Sequence, residues 1–149
     1  MTRDFCDLLK KHDVKYFENF DLSRISCVGI GGKALALLEP KTEEGLIDTL
    51  DMLASSNKKF KLVGNMTNLL PLDSGYDGVL IKTSKIREYY VADGVLHISC
   101  GALFSSAIKK IAELGYGGME SLYGIPGTVG GMVFNNAGAY GNDYYNIYF

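Results

Sequence analysis

The sequence predicts an α+β or mixed α/β fold of two small lobes, each built on one modest sheet. A succession of strand, helix and strand covers residues 34–63, and an Asp93-Gly94 turn between apolar runs indicates a β-hairpin. A helical repeat over 104–114 is followed by a segment rich in glycine. Strands and helices grouped in this way are typical of small α+β lobes, and we predict two of them in this chain of 149 residues.

Charge and hydropathy argue against two classes of partner. A net charge of −2 leaves no large basic face, so we expect no nucleic-acid partner. No stretch approaches the roughly 20 apolar residues of a membrane span. The start, MTRDFCDLLKKHD, is charged throughout and differs from a signal peptide. We therefore predict a cytoplasmic protein that does not bind membranes.

Cysteine and histidine give no indication of metal or disulfide chemistry. Cys6, Cys27 and Cys100 are far apart and odd in number, which predicts buried, reduced thiols. His12 and His97 are the only histidines in the sequence, so a site rich in histidine cannot form. We predict no metal site.

Local sequence signals predict each element of the first lobe. Apolar residues on one side and lysines at the end predict a helix over 3–11. The aromatic segment 13–26 has no clear period and is interpreted as an extended arm. The apolar run 34–38 predicts a strand, and a threonine cap followed by acidic residues starts a helix over 42–53. A brief apolar run at 60–63 completes a βαβ arrangement.

The chain continues with short strands. Apolar runs at 79–82 and 86–91 predict two of them, and the Asp93-Gly94 turn extends them into a meander that reaches Cys100. The helix over 104–114 should end at Gly115, the glycine expected just after a helix C-terminus.

The last segment and the lobe boundaries complete the predicted organisation. Residues 142–149 have strong β propensity and predict a further strand, which leaves the second lobe apparently incomplete. We divide the chain near Ser84: residues 1–22 form an N-terminal helix and arm, 23–84 the first lobe, and 85–149 the second. An unfinished sheet with an aromatic end predicts self-association.

The pattern Gly29-x-Gly31-x-x-Ala34 has the residue types of a dinucleotide-binding fingerprint, but its structural context does not fit. That fingerprint must open a crossover helix, whereas Pro40 follows Ala34 too soon for one. A phosphate-binding P-loop also fails, because Cys27 stands at its first glycine and Ala34 at its serine or threonine.

Gly64-Asn65-Met66-Thr67-Asn68 directly follows a predicted strand. Successive amides in such a loop can form an anion nest, with threonine and asparagine side chains as further donors to a phosphate. The same residues also suit an Asx-type turn that is capped by its own side chains. From this segment alone, both interpretations stay open.

The segments GIPGTVGG at 124–131 and NAGAYG at 136–141 hold much of the chain's glycine. Side chains this small cannot build a core, so we predict that the backbone contacts a flat or extended ligand. The alternative is a tightly packed glycine corner between the lobes.

These segments together resemble a known family. GIPGTVGG, followed by NAGAYG and preceded by GNMTNLLPLDSGYDG, resembles the UDP-N-acetylenolpyruvoylglucosamine reductases, which are bacterial cell-wall flavoenzymes. The resemblance runs from about Ser23 to Gly141 and includes IGGKA and GAL. It implies the FAD-binding fold of the vanillyl-alcohol oxidase and p-cresol methylhydroxylase type, in which two α+β lobes hold an extended FAD between them.

The resemblance also implies which residues contact the cofactor. The residues that it assigns to FAD are Gly64, Asn65, Met66, Thr67, Asn68, Gly101, Ile125, Gly127, Thr128, Gly130, Gly131, Asn136 and Gly138. Within this set, the loop 64–68 should face the FAD pyrophosphate, and residues 127–131 should lie along the flavin side of the cleft.

The family's reaction then becomes the expected function. NADPH reduces FAD, and the flavin passes hydride to the enolpyruvyl group of UDP-N-acetylglucosamine enolpyruvate, which gives the peptidoglycan precursor UDP-N-acetylmuramate. The family's catalytic serine, glutamate and arginine lie after the GAYG motif, so no catalytic residue is assigned here and the substrate domain is absent. We predict that this chain alone is inactive. The alternatives are a truncated, non-catalytic relative that binds flavin or a partner chain, and another oxidase of the same fold.

Met66 departs from the family pattern in the loop that should face the pyrophosphate. The family usually has glycine at this position. If the position needs a positive φ, a residue other than glycine costs on the order of 1 kcal/mol there. We expect a lower affinity for FAD as a result. Further departures are Lys33, Gly29, Tyr123 and the pair Pro71-Leu72, which replaces a usual Val-Arg.

Overall fold

A four-stranded mixed sheet forms the centre of the first of two units, Met1–Ile86; the second unit is Arg87–Phe149. The computed structural model describes residues 3–147. The elements of the first unit are α1 (Arg3–Lys11), β1 (Lys15–Asp21), β2 (Lys33–Glu39), α2 (Glu43–Ser55), β3 (Phe60–Val63) and β4 (Tyr76–Lys82). The helices, and the strands predicted at 34–38 and 60–63, are confirmed with small changes at their ends.

The strand order of this sheet is β1-β2-β4-β3. Strands β2, β4 and β3 run parallel, with Leu37 opposite Leu80 and Leu62 opposite Ile81. The predicted βαβ arrangement is therefore present, and β4 lies between its two strands. The segment interpreted as an extended arm supplies β1, which pairs antiparallel with β2 at the edge of the sheet.

The core of the first unit includes a cluster on this sheet. Its buried members are Leu22, Ala34, Leu37, Val63, Met66 and Leu80. Met66 belongs to the connection between β3 and β4. That connection must return from the end of one parallel strand to the start of the next, and it carries an apolar residue back into the core.

The glycines of the IGGKA segment contact the later part of the connection between β3 and β4. The amide of Gly32 donates to the Leu72 carbonyl at 2.9 Å, and a Cβ on Gly32 would stand 2.1 Å from the Asp73 carbonyl oxygen. Close backbone packing therefore requires glycine here. Residues 33–39 form a strand instead of a helix, as the argument against a dinucleotide fingerprint predicts.

The second unit contains a hairpin, two longer helices and several short elements. They are β5 (Tyr89–Ala92), β6 (Val95–Ile98), α3 (Phe104–Glu113), α4 (Val129–Phe134), β7 (Gly138–Ala139), β8 (Asn142–Asp143) and α5 (Tyr144–Ile147). The predicted hairpin is confirmed: Asp93 and Gly94 have φ of 52° and 77°, as a two-residue turn between twisted strands requires. The helix predicted before Gly115 is confirmed as α3.

The predicted meander is wrong. Strand β4 pairs with β2 and β3 in the first sheet, and across residues 3–147 the hairpin strands β5 and β6 pair only with each other. The strand predicted at 86–91 begins only at Tyr89, because Ile86 closes a turn through its amide bond to Thr83 at 2.9 Å. An apolar residue at a buried turn resembles a strand residue in sequence.

The strand predicted at 142–149 is confirmed only at Asn142–Asp143, which form β8, and it is wrong over 144–147. Tyr144–Ile147 form the short helix α5, and residues 148 and 149 lie outside the described residues. Asp143 accepts from the Asn146 amide at 3.0 Å, and Asn136 accepts from the Tyr145 amide at 2.9 Å. These caps favour a helical turn despite the β propensity of the aromatic residues.

The core of the second unit lies between α3 and α4. Its buried members are Phe104, Ile108, Leu122 and Met132. Within residues 3–147, no helix has both the length and the apolar character needed to cross a membrane.

Candidate functional site

The loop after β3, residues 64–68, begins with three backbone amides that have no partner among the described residues. We call it the β3 loop. The amides of Gly64, Asn65 and Met66 donate to no atom of residues 3–147. Thr67 and Asn68 are exposed, whereas Gly64 and Asn65 are half-buried. Consecutive free amides after a parallel strand are a favourable arrangement for a bound anion.

Met66 has the backbone conformation that glycine normally adopts. Its φ is 55°, so the expected positive φ is confirmed. Met66 as a whole residue is 5% exposed, and its side chain packs in the core cluster with residues that include Val63 and Leu80. The side chain therefore points into the protein.

Cys27 contacts the β3 loop from a distant part of the sequence. Its thiol donates to the Asn65 carbonyl with an Sγ to oxygen distance of 3.3 Å. Cys27 is exposed, and Cys6 and Cys100 are half-buried, so the prediction of buried thiols is wrong. The contact was not predictable from the sequence, because no local pattern links residues that are 38 positions apart.

The segment 124–131 in the second unit packs its backbone against residues 100–104. The amide of Val129 donates to Ala102 at 2.9 Å, and that of Gly130 donates to Cys100 at 2.8 Å. Phe104 donates to the carbonyl of Gly127 at 3.1 Å. Part of the glycine-rich backbone is therefore committed to contacts inside this unit.

Thr128 and Gly131 stabilise the start of α4. Thr128 is 2% exposed, and its hydroxyl accepts from the Gly131 amide at 3.4 Å as a helix cap. Gly101 is buried beside the same segment, and Ile125 packs on the core of the second unit. The structure thus brings Gly101 and residues 125–131 together around one helix N-terminus.

The remaining assigned residues follow α4. Asn136 has a φ of 43° and holds α5 through its bond to Tyr145. Gly138 is exposed and lies in the two-residue strand β7 opposite Asp143. In the described residues, the side-chain oxygen of Asn136 is a capping group for a neighbouring helix.

A cluster that the sequence analysis did not foresee lies between α1 and α2. His12 Nε2 stands 2.8 Å from Asp48 Oδ2, and a ligand atom of Glu44 is within 4.8 Å of both. The Lys11 ammonium lies 3.6 Å from Asp48 and 4.0 Å from Glu44, so a cation already faces these two carboxylates. This arrangement is that of a charge network joining two helices.

Comparison with known proteins places the fold in a family. A family described as FAD binding domain matches residues 34–148. The UDP-N-acetylenolpyruvoylglucosamine reductase of Caldicellulosiruptor saccharolyticus is 34% identical over 140 residues, which are 94% of this chain and 45% of that protein. The enzyme of the same name from Pseudothermotoga lettingae is 38% identical, over 95% of this chain and 45% of that protein. The chain thus spans less than half the length of these relatives.

Solved structures agree with this assignment. The crystal structure of UDP-N-acetylenolpyruvylglucosamine reductase from Thermus caldophilus matches with a TM-score of 0.63 and 26% identity, over 87% of this chain and 44% of that chain. Aclacinomycin oxidoreductase matches with a TM-score of 0.65 at 13% identity, over 85% of this chain and 27% of its own, and it shows the shared fold alone. The predicted α+β FAD-binding fold is confirmed. The chain belongs to the FAD binding domain family, and within it is similar to the UDP-N-acetylenolpyruvoylglucosamine reductases.

Proposed function

We propose that this chain binds FAD, with the pyrophosphate on the β3 loop. The observation that carries the proposal is the set of free amides at Gly64, Asn65 and Met66, on a loop whose one apolar side chain points into the core. A pyrophosphate needs several hydrogen-bond donors, and backbone amides supply them without a compensating charge. The donors of the loop therefore suit the anionic centre of FAD.

We also propose the role of the chain in a larger reaction. Similarity to the reductases supports a part in reducing UDP-N-acetylglucosamine enolpyruvate to UDP-N-acetylmuramate with NADPH. Bound FAD would supply the hydride-transfer chemistry of that reaction. The residues of this chain would bind and orient the cofactor, and none of them is assigned to a proton-transfer step. A cytoplasmic location and the lobe boundary near Ser84 belong to the same proposal.

The proposed flavin contacts lie in the second unit. They are Gly101, Ile125, Gly127, Thr128, Gly130, Gly131, Asn136 and Gly138. The close backbone packing around α4 limits the hydrogen bonds that these residues can make to a flavin, because the Gly130 amide and the Thr128 hydroxyl already have partners. We therefore propose that this segment contributes shape to the flavin site and that the β3 loop contributes most of the anion-binding donors.

A pair of substitutions at Thr67 tests the position of the pyrophosphate. Thr67 is exposed at the loop, so Thr67→Glu and Thr67→Gln should both fold, and they differ only in charge. A carboxylate near the pyrophosphate repels it, and we expect Thr67→Glu to bind FAD about tenfold more weakly than Thr67→Gln at low salt. Isothermal titration calorimetry measures both affinities. Equal affinities would mean that the pyrophosphate binds elsewhere.

Activity is the second measurement. The chain alone, saturated with FAD, should not reduce the enolpyruvyl substrate with NADPH, because the resemblance assigns none of the family's catalytic groups to these residues. Turnover by residues 1–149 would show that this chain carries catalytic groups that the resemblance does not assign to it.

A further inference from the structure

One side chain of the β3 loop, that of Met66, is buried in the protein core. Met66 is 5% exposed in the cluster that contains Leu22, Ala34 and Leu37, whereas Thr67 and Asn68 are exposed. The loop therefore has a buried apolar residue between its half-buried start and its exposed end.

The backbone at Met66 is held in an unfavourable conformation. Its φ of 55° lies in the left-handed region, where a side chain is disfavoured and glycine is not. Burial of a methionine side chain is favourable enough to offset that cost. Side-chain packing therefore contributes to the loop conformation, while the amides of Gly64, Asn65 and Met66 have no backbone partner within residues 3–147.

We infer that Met66 is a positioning residue that holds the β3 loop in its anion-binding conformation before FAD binds. This inference rests on the proposed function and concerns the same site. A loop that is ordered by folding loses little further backbone entropy when the ligand binds, whereas a loosely held loop must be ordered by the ligand itself. Methionine at this position would therefore favour FAD binding despite the strain it introduces, which is the opposite of the lower affinity expected from the sequence.

The Cys27 thiol supports the same arrangement from the other side of the loop. Its contact with the Asn65 carbonyl, at 3.3 Å, fixes the peptide next to Met66. A thiol is a weak donor, so we assign it the smaller share of the restraint. The buried methionine is then the stronger of these two contacts.

Three variants test the inference. Met66→Gly removes the side chain and the strain together, and we expect FAD affinity to fall about tenfold as backbone ordering returns to the binding step. Met66→Leu keeps an apolar side chain of similar size, and it should restore most of the affinity. Leu53→Ala removes a buried side chain from α2, outside this cluster, and it should lower thermal stability with less than about a twofold change in affinity.

A second measurement reports the backbone mobility of the loop directly. In the unaltered chain without FAD, the ¹⁵N order parameters of residues 64–68 should be near the rigid value of about 0.85, and in Met66→Gly they should fall below about 0.6. Calorimetric titration with FAD is made at a temperature where circular dichroism shows every variant folded. If Met66→Gly does not fold, Met66→Ala takes its place, and the order parameters of the unaltered chain still decide the question.

The outcomes separate the inference from the proposed function. An unaltered, folded chain that binds no FAD contradicts the proposed function. If the unaltered chain binds FAD and Met66→Gly binds it equally well or more tightly, the positioning role of Met66 is wrong while the FAD site stands. Flexible order parameters at residues 64–68 in the unaltered chain would also overturn the positioning role.

Discussion

Two adjacent glycines in α4 have different reasons to be glycine. A Cβ on Gly130 would stand 2.9 Å from the Cβ of Cys100 and 3.1 Å from its carbonyl oxygen. A Cβ on Gly131 would meet only the Thr128 hydroxyl, at 3.4 Å. Gly130 thus allows two backbone segments to pack closely, and the packing of the unit does not require Gly131.

This difference predicts opposite effects of the same substitution. Gly130→Ala should destabilise the chain by about 1–3 kcal/mol, because the segment 100–104 must shift. Gly131→Ala should be neutral or should stabilise by up to about 1 kcal/mol through helix propensity. Urea unfolding of the two variants measures both values. Equal destabilisation would show that the packing described here is wrong.

The sequence could predict part of the candidate site at the level of residues. The pattern at 64–68 was sufficient to predict a nest or an Asx-type turn, and the free amides favour the nest. The left-handed backbone at Met66 was predictable from the resemblance, which implies a glycine at this position. The direction of its side chain depends on the tertiary core and was not predictable. The contact of Cys27 with the loop was missed for the same reason.

Elements with a strong local signal were predicted well. The Asp93-Gly94 hairpin and the helix caps at Thr42 and Gly115 depend on a few neighbouring residues, and the structure has all of them. The meander was wrong because sheet pairing joins distant strands. The strand predicted near Tyr144 was wrong because two side-chain caps outweigh its β propensity.

Strand β1 carries a tyrosine whose ionisation is coupled to the packing of α1. Tyr16 lies edge-on to Phe5 of α1, with ring centroids 6.0 Å apart, and its hydroxyl donates to Glu18 at 2.8 Å. Burial, with the hydrogen bond to Glu18, raises the pKa of Tyr16 to about 12. The folded chain therefore favours the neutral phenol.

A pH dependence of stability follows from this shift. The unfolded tyrosine has a pKa of about 10, so the contribution of Tyr16 is complete below about pH 10. It is lost as the pH rises toward the folded value of about 12. Between about pH 9 and about pH 11, the unaltered chain should lose more unfolding free energy in urea than Tyr16→Phe does.

Tyr140→Phe provides the matched control for this experiment. Tyr140 is 92% exposed, and its substitution should leave the pH dependence of the unaltered chain intact. An identical loss of stability in Tyr16→Phe and Tyr140→Phe would contradict the role given to Tyr16.

At the scale of the whole molecule, the chain consists of two units, and together they belong to one known fold. Family membership over residues 34–148 establishes the FAD binding domain. The chain spans 45% of the length of the reductases it is similar to, so their complete reaction is a proposal for this protein. The fold was predictable because short glycine-rich motifs in a fixed order are specific to it, whereas composition indicated only a domain of mixed structure.

Equilibrium dialysis of the purified chain against FAD, with riboflavin in a parallel cell, tests the central claim most directly. The two ligands share the isoalloxazine ring, and riboflavin lacks the pyrophosphate that the β3 loop is proposed to bind. We predict that FAD accumulates with the chain and that riboflavin does so far less. A chain shown to be folded by circular dichroism that accumulates neither ligand, or both equally, would contradict the claim.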